Sequence, residues 1–320
     1  MVLFKTDAEK GEGIELAKEY LVQGYPTFVL TNAKGEALDT WSGYGKEHFL
    51  ETIGTAVADP TTIAEKTARF GKSPSAADAK KLARFHGTRG EYVDAVRFAK
   101  KAGEIAPSAE NRYDEFYYTA YASIRGSEDF SLEDVTAAAD QVVRAKDVSG
   151  DTLVELADMM SYLGQKNEQP RLVVPYLEPA LKATKGTTDP GLAQARQGIE
   201  IEHALLVLND KDKALELKRA SMPEGWKDDA SGLNSFAWWC FEKDVNLEEA
   251  EALARHGVEV AAAGREKAMI LDTAAEICNA RGNCDDAVEL IQRAVSEDPD
   301  SEHYQKQLTR FQEIRAAKAN

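Results

Sequence analysis

The tightest constraint on this chain lies in residues 268–300, AMILDTAAEICNARGNCDDAVELIQRAVSEDPD. Leu271, Ala274, Ala275 and Cys278 follow at 0, +3, +4 and +7, which places all four on one face of a helix. Gly282 marks a turn, and Ala287, Ile291 and Ala294 then share one face of a second helix that Pro299 closes. Small residues at Ala275 and Ala287 let the two helices approach closely, while the larger residues fill the groove to a neighbouring pair. Such a hairpin cannot bury its apolar face alone, so the spacing predicts a stack of antiparallel helix pairs.

The same template fits residues 76–109, where Leu82 and Ala83 precede a Gly90-Glu91-Tyr92 turn and Ala95, Ala99, Ala102 and Pro107 follow. A third match, LNSFAWWCFEKDVNLEEAEALARHGVEV, supplies Asn234, Ala237, Phe241, Ala250, Ala254 and Gly257. There Trp238 takes a normally small position, so that pair is expected to open or shift its contact. These offsets resemble the tetratricopeptide repeat, with Cys278 where an aromatic is usual. From Ala250 to Ala287 is 37 residues rather than the roughly 34 of the repeat, which predicts a short insertion near Ala262–Gly264. Further helices are predicted near 111–125, 131–146, 151–164, 171–184, 190–208 and 211–221, with Pro175 and Pro179 making one pair irregular. The last stretch carries Tyr304, Leu308, Phe311 and Ile314 on one side and reads as a capping helix. The expected fold class is therefore mainly α: a tetratricopeptide-like α-solenoid over 58–320, preceded by a small α+β unit over 1–57.

The head differs in kind. VLFKTD reads as a strand, GIELAKEYLV as a helix, and GYPTFVLTN and NAKGEALDTWSGY as a hairpin turning at Lys34-Gly35. KEHFLETIGTAV then closes the unit with a helix. Asp7, Leu16, Ala17 and Tyr20, then Gly24-Tyr25-Pro26-Thr27-Phe28, then Gly35 and Gly43, resemble the second half of a thioredoxin fold. The resemblance implies a cis Tyr25–Pro26 bond and a peptide-pairing backbone just before that proline. The family's first strand, first helix, second strand and CxxC helix have no counterpart here, and the head contains no cysteine. No catalytic residue is carried over, because dithiol exchange needs an attacking and a resolving thiol. Without the second strand, VLFKTD and TFVLTN lose their shared neighbour and an apolar edge is exposed. Three outcomes are open: the two strands pair directly, the head packs on the first repeat helices, or a second chain completes it. Met1 as a late start on a longer gene, with the CxxC half and any export signal upstream, is a fourth explanation.

Charge narrows the function. With 55 acidic against 39 basic side chains the formal net charge is −16, which argues against nucleic-acid partners. The densest basic cluster, Lys80, Lys81 and Arg84, reads as a solvated helix face. No window suits a membrane span or a signal peptide, so the expectation is no membrane partner and a cytoplasmic location, or a periplasmic or secreted one if a leader was lost upstream. Cys240, Cys278 and Cys284 form no CxxC and read as small buried side chains, with a Cys278–Cys284 bridge the lesser alternative. The five histidines are scattered and no phosphate-binding glycine motif occurs, so no metal, cofactor or catalytic residue is expected.

Aromatic residues concentrate in FYYTAYA (116–122) and FAWWCF (236–241), as core or as groove anchors. In the repeat family the groove is lined by first-helix positions between the signature residues. Here these are Lys80 and Arg84, then Ser235, Trp239 and Glu242, then Asp272, Glu276 and Asn279, with Tyr25 and Pro26 at the head's edge. Lys80 and Arg84 resemble half of a carboxylate clamp whose companion asparagines are missing. The first expectation is a non-enzymatic scaffold for a protein or peptide partner. The second is a fragment of a thioredoxin-like thiol–disulfide oxidoreductase or folding assistant.

Overall fold

The structure, a computed structural model, describes residues 2–318. The head forms α1 (Glu12–Glu19), strands β1 (Thr27–Thr31) and β2 (Ala37–Ser42), and α2 (Lys46–Ala58). Only helices follow among the described residues. They begin with α3 (Ile63–Lys72), α4 (Ala76–Thr88), α5 (Tyr92–Ile105), α6 (Ala109–Ile124), α7 (Leu132–Val143), α8 (Gly150–Lys166) and α9 (Val174–Ala183). Then come α10 (Pro190–Leu206), α11 (Lys211–Ser221), α12 (Ala230–Glu242), α13 (Leu247–Val260), α14 (Arg265–Ala280), α15 (Cys284–Glu297) and α16 (Glu302–Lys318). The chain divides into two compact units between Thr188 and Asp189. None of the described helices is long and apolar enough to cross a membrane.

In the first unit, helix starts are fixed by their caps. Thr62, Ser75, Ser108, Ser131 and Ser149 each accept a hydrogen bond from the backbone N–H three residues on, and Thr62 and Ser131 complete reciprocal boxes with Glu65 and Asp134. The α4–α5 pair closes over Ala79, Leu82 and Ala83 on one helix and Ala95, Ala99 and Ala102 on the other, all buried. Gly87 then admits α6: a Cβ there would lie 2.2 Å from the Tyr118 ring, which packs against Ile63, Leu82, Ala83, Phe98 and Ala99. The proline-bearing pair is irregular, as expected. A 3-10 turn at Pro170–Val173 leads into α9, Pro179 sits inside that helix, and Tyr176, Leu177 and Ala180 hold it down.

The head packs into this unit through β2 and α3–α4. Lys66, fully buried, donates to the carbonyl oxygens of Leu38 and Thr61. Burial lowers the pKa of its ammonium group. Arg84 donates to Asp39 at 2.6 Å, and Arg89 reaches the Tyr20 carbonyl. β1 and β2 are antiparallel, with Phe28 opposite Trp41, and Phe28, Trp41 and Phe49 form an aromatic cluster between the hairpin and α2. The Tyr25–Pro26 peptide is cis, as the resemblance implied. One expectation fails: Val2–Asp7 is not a strand, and Val2, Leu3 and Phe4 are 93%, 73% and 69% exposed. Among the described residues no neighbouring strand pairs with this segment, and an isolated extended segment is not stable in water. Of the three outcomes left open, docking of the head on the first repeat helices is the one observed.

In the second unit, α14 and α15 match the sequence reading position by position: Leu271, Ala274, Ala275, Cys278, Ala287, Ile291 and Ala294 are all buried. The α16 helix caps it, burying Phe311 and laying Tyr304, Leu308 and Ile314 on the core. The α12–α13 pair differs from expectation by one residue. The buried set on α12 is Leu233, Phe236, Ala237 and Cys240, the same 0, +3, +4, +7 spacing as in α14 but one position earlier than read. Ala237, not Trp238, therefore occupies the small position, and the pair does not open.

Gly87→Ala should destabilise the protein by about 1–3 kcal/mol in urea unfolding, because the new methyl meets a packed ring. Adding Tyr118→Leu should return part of that loss, where independent sites would simply add.

Candidate functional site

On α4 the two basic residues are not an open pair. Lys80 bonds Glu110 of α6, and Arg84 is committed to Asp39, whose carboxylate is wholly buried and also accepts the Thr40 N–H. Between them on α6 sits Asp114. Burial pushes its carboxyl up to about 6, against the opposing pull of Lys80 and Arg84. The α6 aromatics form a stripe: Tyr117 and Tyr121 have ring centroids 4.6 Å apart, Tyr92 joins at 6.0 Å from Tyr121, and Tyr113 lies 6.3 Å from Tyr117. Burial raises the Tyr113, Tyr117 and Tyr118 hydroxyl pKa values well above the usual phenol range. These rings are half-buried packing residues rather than free anchors.

On α14 the residues named from sequence meet the capping helix. Asp272 lies 2.9 Å from His303, and Glu276, 8% exposed, accepts from Gln307 at 2.6 Å and from Arg310. Burial raises the Asp272 carboxyl pKa. Asn279 faces the Cys284 thiol. Asp272 and Glu276 thus bind α16.

On α12 the one-residue shift changes which side chains look outward. Ser235 and Glu242 are exposed, but Trp239 turns onto Ile201, Ala204 and Ala214 of α10 and α11, with the Lys218 ammonium 5.9 Å from its ring centroid. The positions equivalent to Asp272, Glu276 and Asn279 are Asn234, Trp238 and Phe241. Trp238 is 37% exposed and lies with its ring centroid 5.2 Å from that of Phe241, tilted by 45°, and Phe241 itself packs on the core. Met269 on α14 is likewise exposed. Sequence reasoning missed Trp238 because it placed that ring at the seam. The signal was present in the Leu233/Phe236/Ala237/Cys240 spacing.

No catalytic constellation accompanies these faces among the described residues. Burial pushes the Cys240 and Cys278 thiols up to about 12, so neither is a nucleophile near neutral pH. Glu251, Cys278 and Asp286 offer ligand atoms within 4.8 Å of one another. Arg255 bonds all three, at 2.8, 3.4 and 2.5 Å, and Arg281 adds a second guanidinium to Glu251. The cluster is an ion-pair lock joining α13, α14 and α15. In the head, Tyr25 is exposed beside Pro26 at the entry to β1.

No protein-family model matches the chain, and no curated protein matches it. Among solved structures, YrrB, described as a TPR protein with an unusual peptide-binding site, is similar at 17% identity. That match covers 75% of this chain and 96% of that one, with a TM-score of 0.38. A tetratricopeptide repeat protein from Parabacteroides merdae is similar at 11% identity, covering 83% and 98%, with a TM-score of 0.47. Yeast Tom70 is similar at 16% identity, covering 79% and 51%, with a TM-score of 0.39. At such values the assignment of helix pairs rests on the packing described above.

Asp114 supplies a pH test. Its folded-state pKa is raised from 3.8 to about 6, so the ionised carboxyl costs stability above pH 6 and that cost fades as pH falls toward 4. Asp114→Asn should therefore be more stable than the parent by roughly 1–3 kcal/mol in urea unfolding at pH 8. The difference should shrink toward zero at pH 4.

Proposed function

We propose that this chain is a scaffold that binds a protein or peptide, without redox chemistry of its own, on the outward face of α12. The observation that carries this reading is Trp238. It is a partly exposed indole on a helix, in tilted contact with a core-anchored phenylalanine, at the first-helix position where tetratricopeptide-like proteins receive their guests. Rigid aromatic residues of this kind dominate binding energy because little side-chain entropy is lost on contact. Asn234 and the exposed Ser235 and Glu242 supply polar contacts nearby. The net charge of −16 favours a neutral or cationic guest.

The head is read as a partial thioredoxin-like module. Support comes from the α1–β1–β2–α2 order, the antiparallel hairpin, and positive φ at Gly35 and Gly43. It has no thiol, so it contributes a peptide-pairing edge at Tyr25–Pro26 rather than exchange chemistry.

Panning the full chain against random twelve-residue peptides on phage should enrich a sequence with apolar and basic residues. Trp238→Ala should weaken the selected peptide at least about tenfold (~1.4 kcal/mol). Enrichment of nothing, or a W238A affinity equal to the parent's, would overturn the assignment. In an insulin-reduction assay with dithiothreitol the chain should show no turnover above the buffer rate.

A further inference from the structure

The two-stranded sheet in the head is protected on one side only. Along β2, the buried Lys66 ammonium donates to the Leu38 carbonyl at 3.3 Å, and α3 and α4 pack on the strand. Among the described residues no strand pairs with the other side of β1. The Pro26 carbonyl accepts from the Gly43 N–H at 2.9 Å and the Phe28 carbonyl from the Thr40 hydroxyl at 3.1 Å, so the even-numbered residues of β1 face β2. By strand alternation Thr27, Val29 and Thr31 direct their N–H and C=O groups outward. Native proteins blunt such an edge with lysine, proline or a bulge; TFVLT carries no lysine or proline, and the register shift between Leu30 and Thr31 lies in its pairing with β2.

Three observations identify the occupant. The strand is nearly palindromic about Val29: in an antiparallel pairing Thr27 meets Thr31, Phe28 meets Leu30, and Val29 meets itself. A two-fold interface requires that kind of self-complementarity. Thr27–Thr31 and Val29–Val29 are also the outward-facing pairs, so each exchanges both backbone bonds, while Phe28 and Leu30 extend one apolar face across the axis. Charge agrees. Residues 20–33 contain no Asp, Glu, Lys or Arg, although 29% of the chain is charged and its net charge is −16, so two copies meet at the segment where they repel least. Apolar exposure agrees as well. Leu21 and Tyr25, just before the strand, are 38% and 65% exposed.

We infer that β1 is a homodimerisation edge: two copies of this chain join β1 to β1 antiparallel about Val29, making a continuous four-stranded sheet. This is independent of the α12 reading; in the head it names a second copy's β1 as the segment that pairs along the edge following Tyr25–Pro26.

Sedimentation equilibrium of the full chain should give a mass that rises with concentration from 35.1 kDa toward twice that value. Val29→Pro removes only an outward N–H, so it should leave the β2 ladder and the helical circular dichroism intact while holding the mass at one chain. Hydrogen exchange on the unsubstituted protein gives a second readout that does not depend on how the variant folds. The Thr27, Val29 and Thr31 amides should gain at least tenfold protection as concentration rises through the association range. A single-chain mass up to about 100 µM, or a dimer in which those amides stay unprotected, would overturn the inference.

Discussion

Ala274, Ala275, Ala287 and Ala294 are four of the buried positions along α14 and α15, and Ala237, Ala250 and Ala254 play the same part in α12 and α13. None carries a side chain beyond Cβ, so paired helices approach until their backbones limit them. The cost of that closeness is area. An alanine seam removes little apolar surface from water, and a pair held by its seam alone would not be stable. The large residues must therefore bury themselves outside the pair. Leu271, Ile277, Leu290, Ile291 and Phe311 in the second unit form one cluster spanning several helices, and Leu82, Phe98 and Ile63 do so in the first. Close seams within pairs and large side chains between them are one constraint seen from two sides, and stacking follows from it.

Stacking leaves the question of what covers the outermost helices, and the chain answers it by two routes. At its C-terminal end α16 lays an apolar stripe on the core and ties itself to α14 through Glu276, Arg310 and Gln307. In the first unit the cover is the head, and its attachment is more polar: Asp39 to Arg84, Lys66 to two carbonyls, Arg89 to Tyr20. Buried ionic contacts contribute less net stability than apolar packing, but they are intolerant of misplacement, since a displaced Asp39 would be left uncompensated in the interior. They fix where the hairpin sits on α3 and α4.

Much of this was legible because helical periodicity is a local signal. Every helix from α4 to α16 has a counterpart in the sequence reading, and α14–α15 could be assigned residue by residue. What could not be read depends on partners far along the chain. Val2–Asp7 has the composition of a strand but not the neighbour a strand requires. Lys80 and Arg84 look like groove cations until Glu110 and Asp39, 30 and 45 residues away, are brought to them. Asp272 and Glu276 likewise await His303 and Arg310. Gly87 carries no signal in the sequence reading, and the need for a residue without Cβ appears only when the Tyr118 ring is set against it.

The exposure of Trp238 follows from the same seam constraint. Two registers of α12 offer a 0, +3, +4, +7 set: Asn234, Ala237, Trp238 and Phe241, or Leu233, Phe236, Ala237 and Cys240. The first would press an indole into a position where helices must nearly touch and would bury a carboxamide that then needs partners. The second buries two large apolar residues, an alanine at the close contact and a small thiol. Full burial of Leu233 and Phe236 is worth about 1.5–3 kcal/mol each, and the alternative adds steric strain of similar size, so the second register wins decisively. Once Ala237 is committed to the seam, the residue after it must lie about 100° further around the helix. Trp238 is thereby turned outward with Phe241 one turn beyond to support it, and the rule that closes the helix pair is what leaves an aromatic surface on its outside.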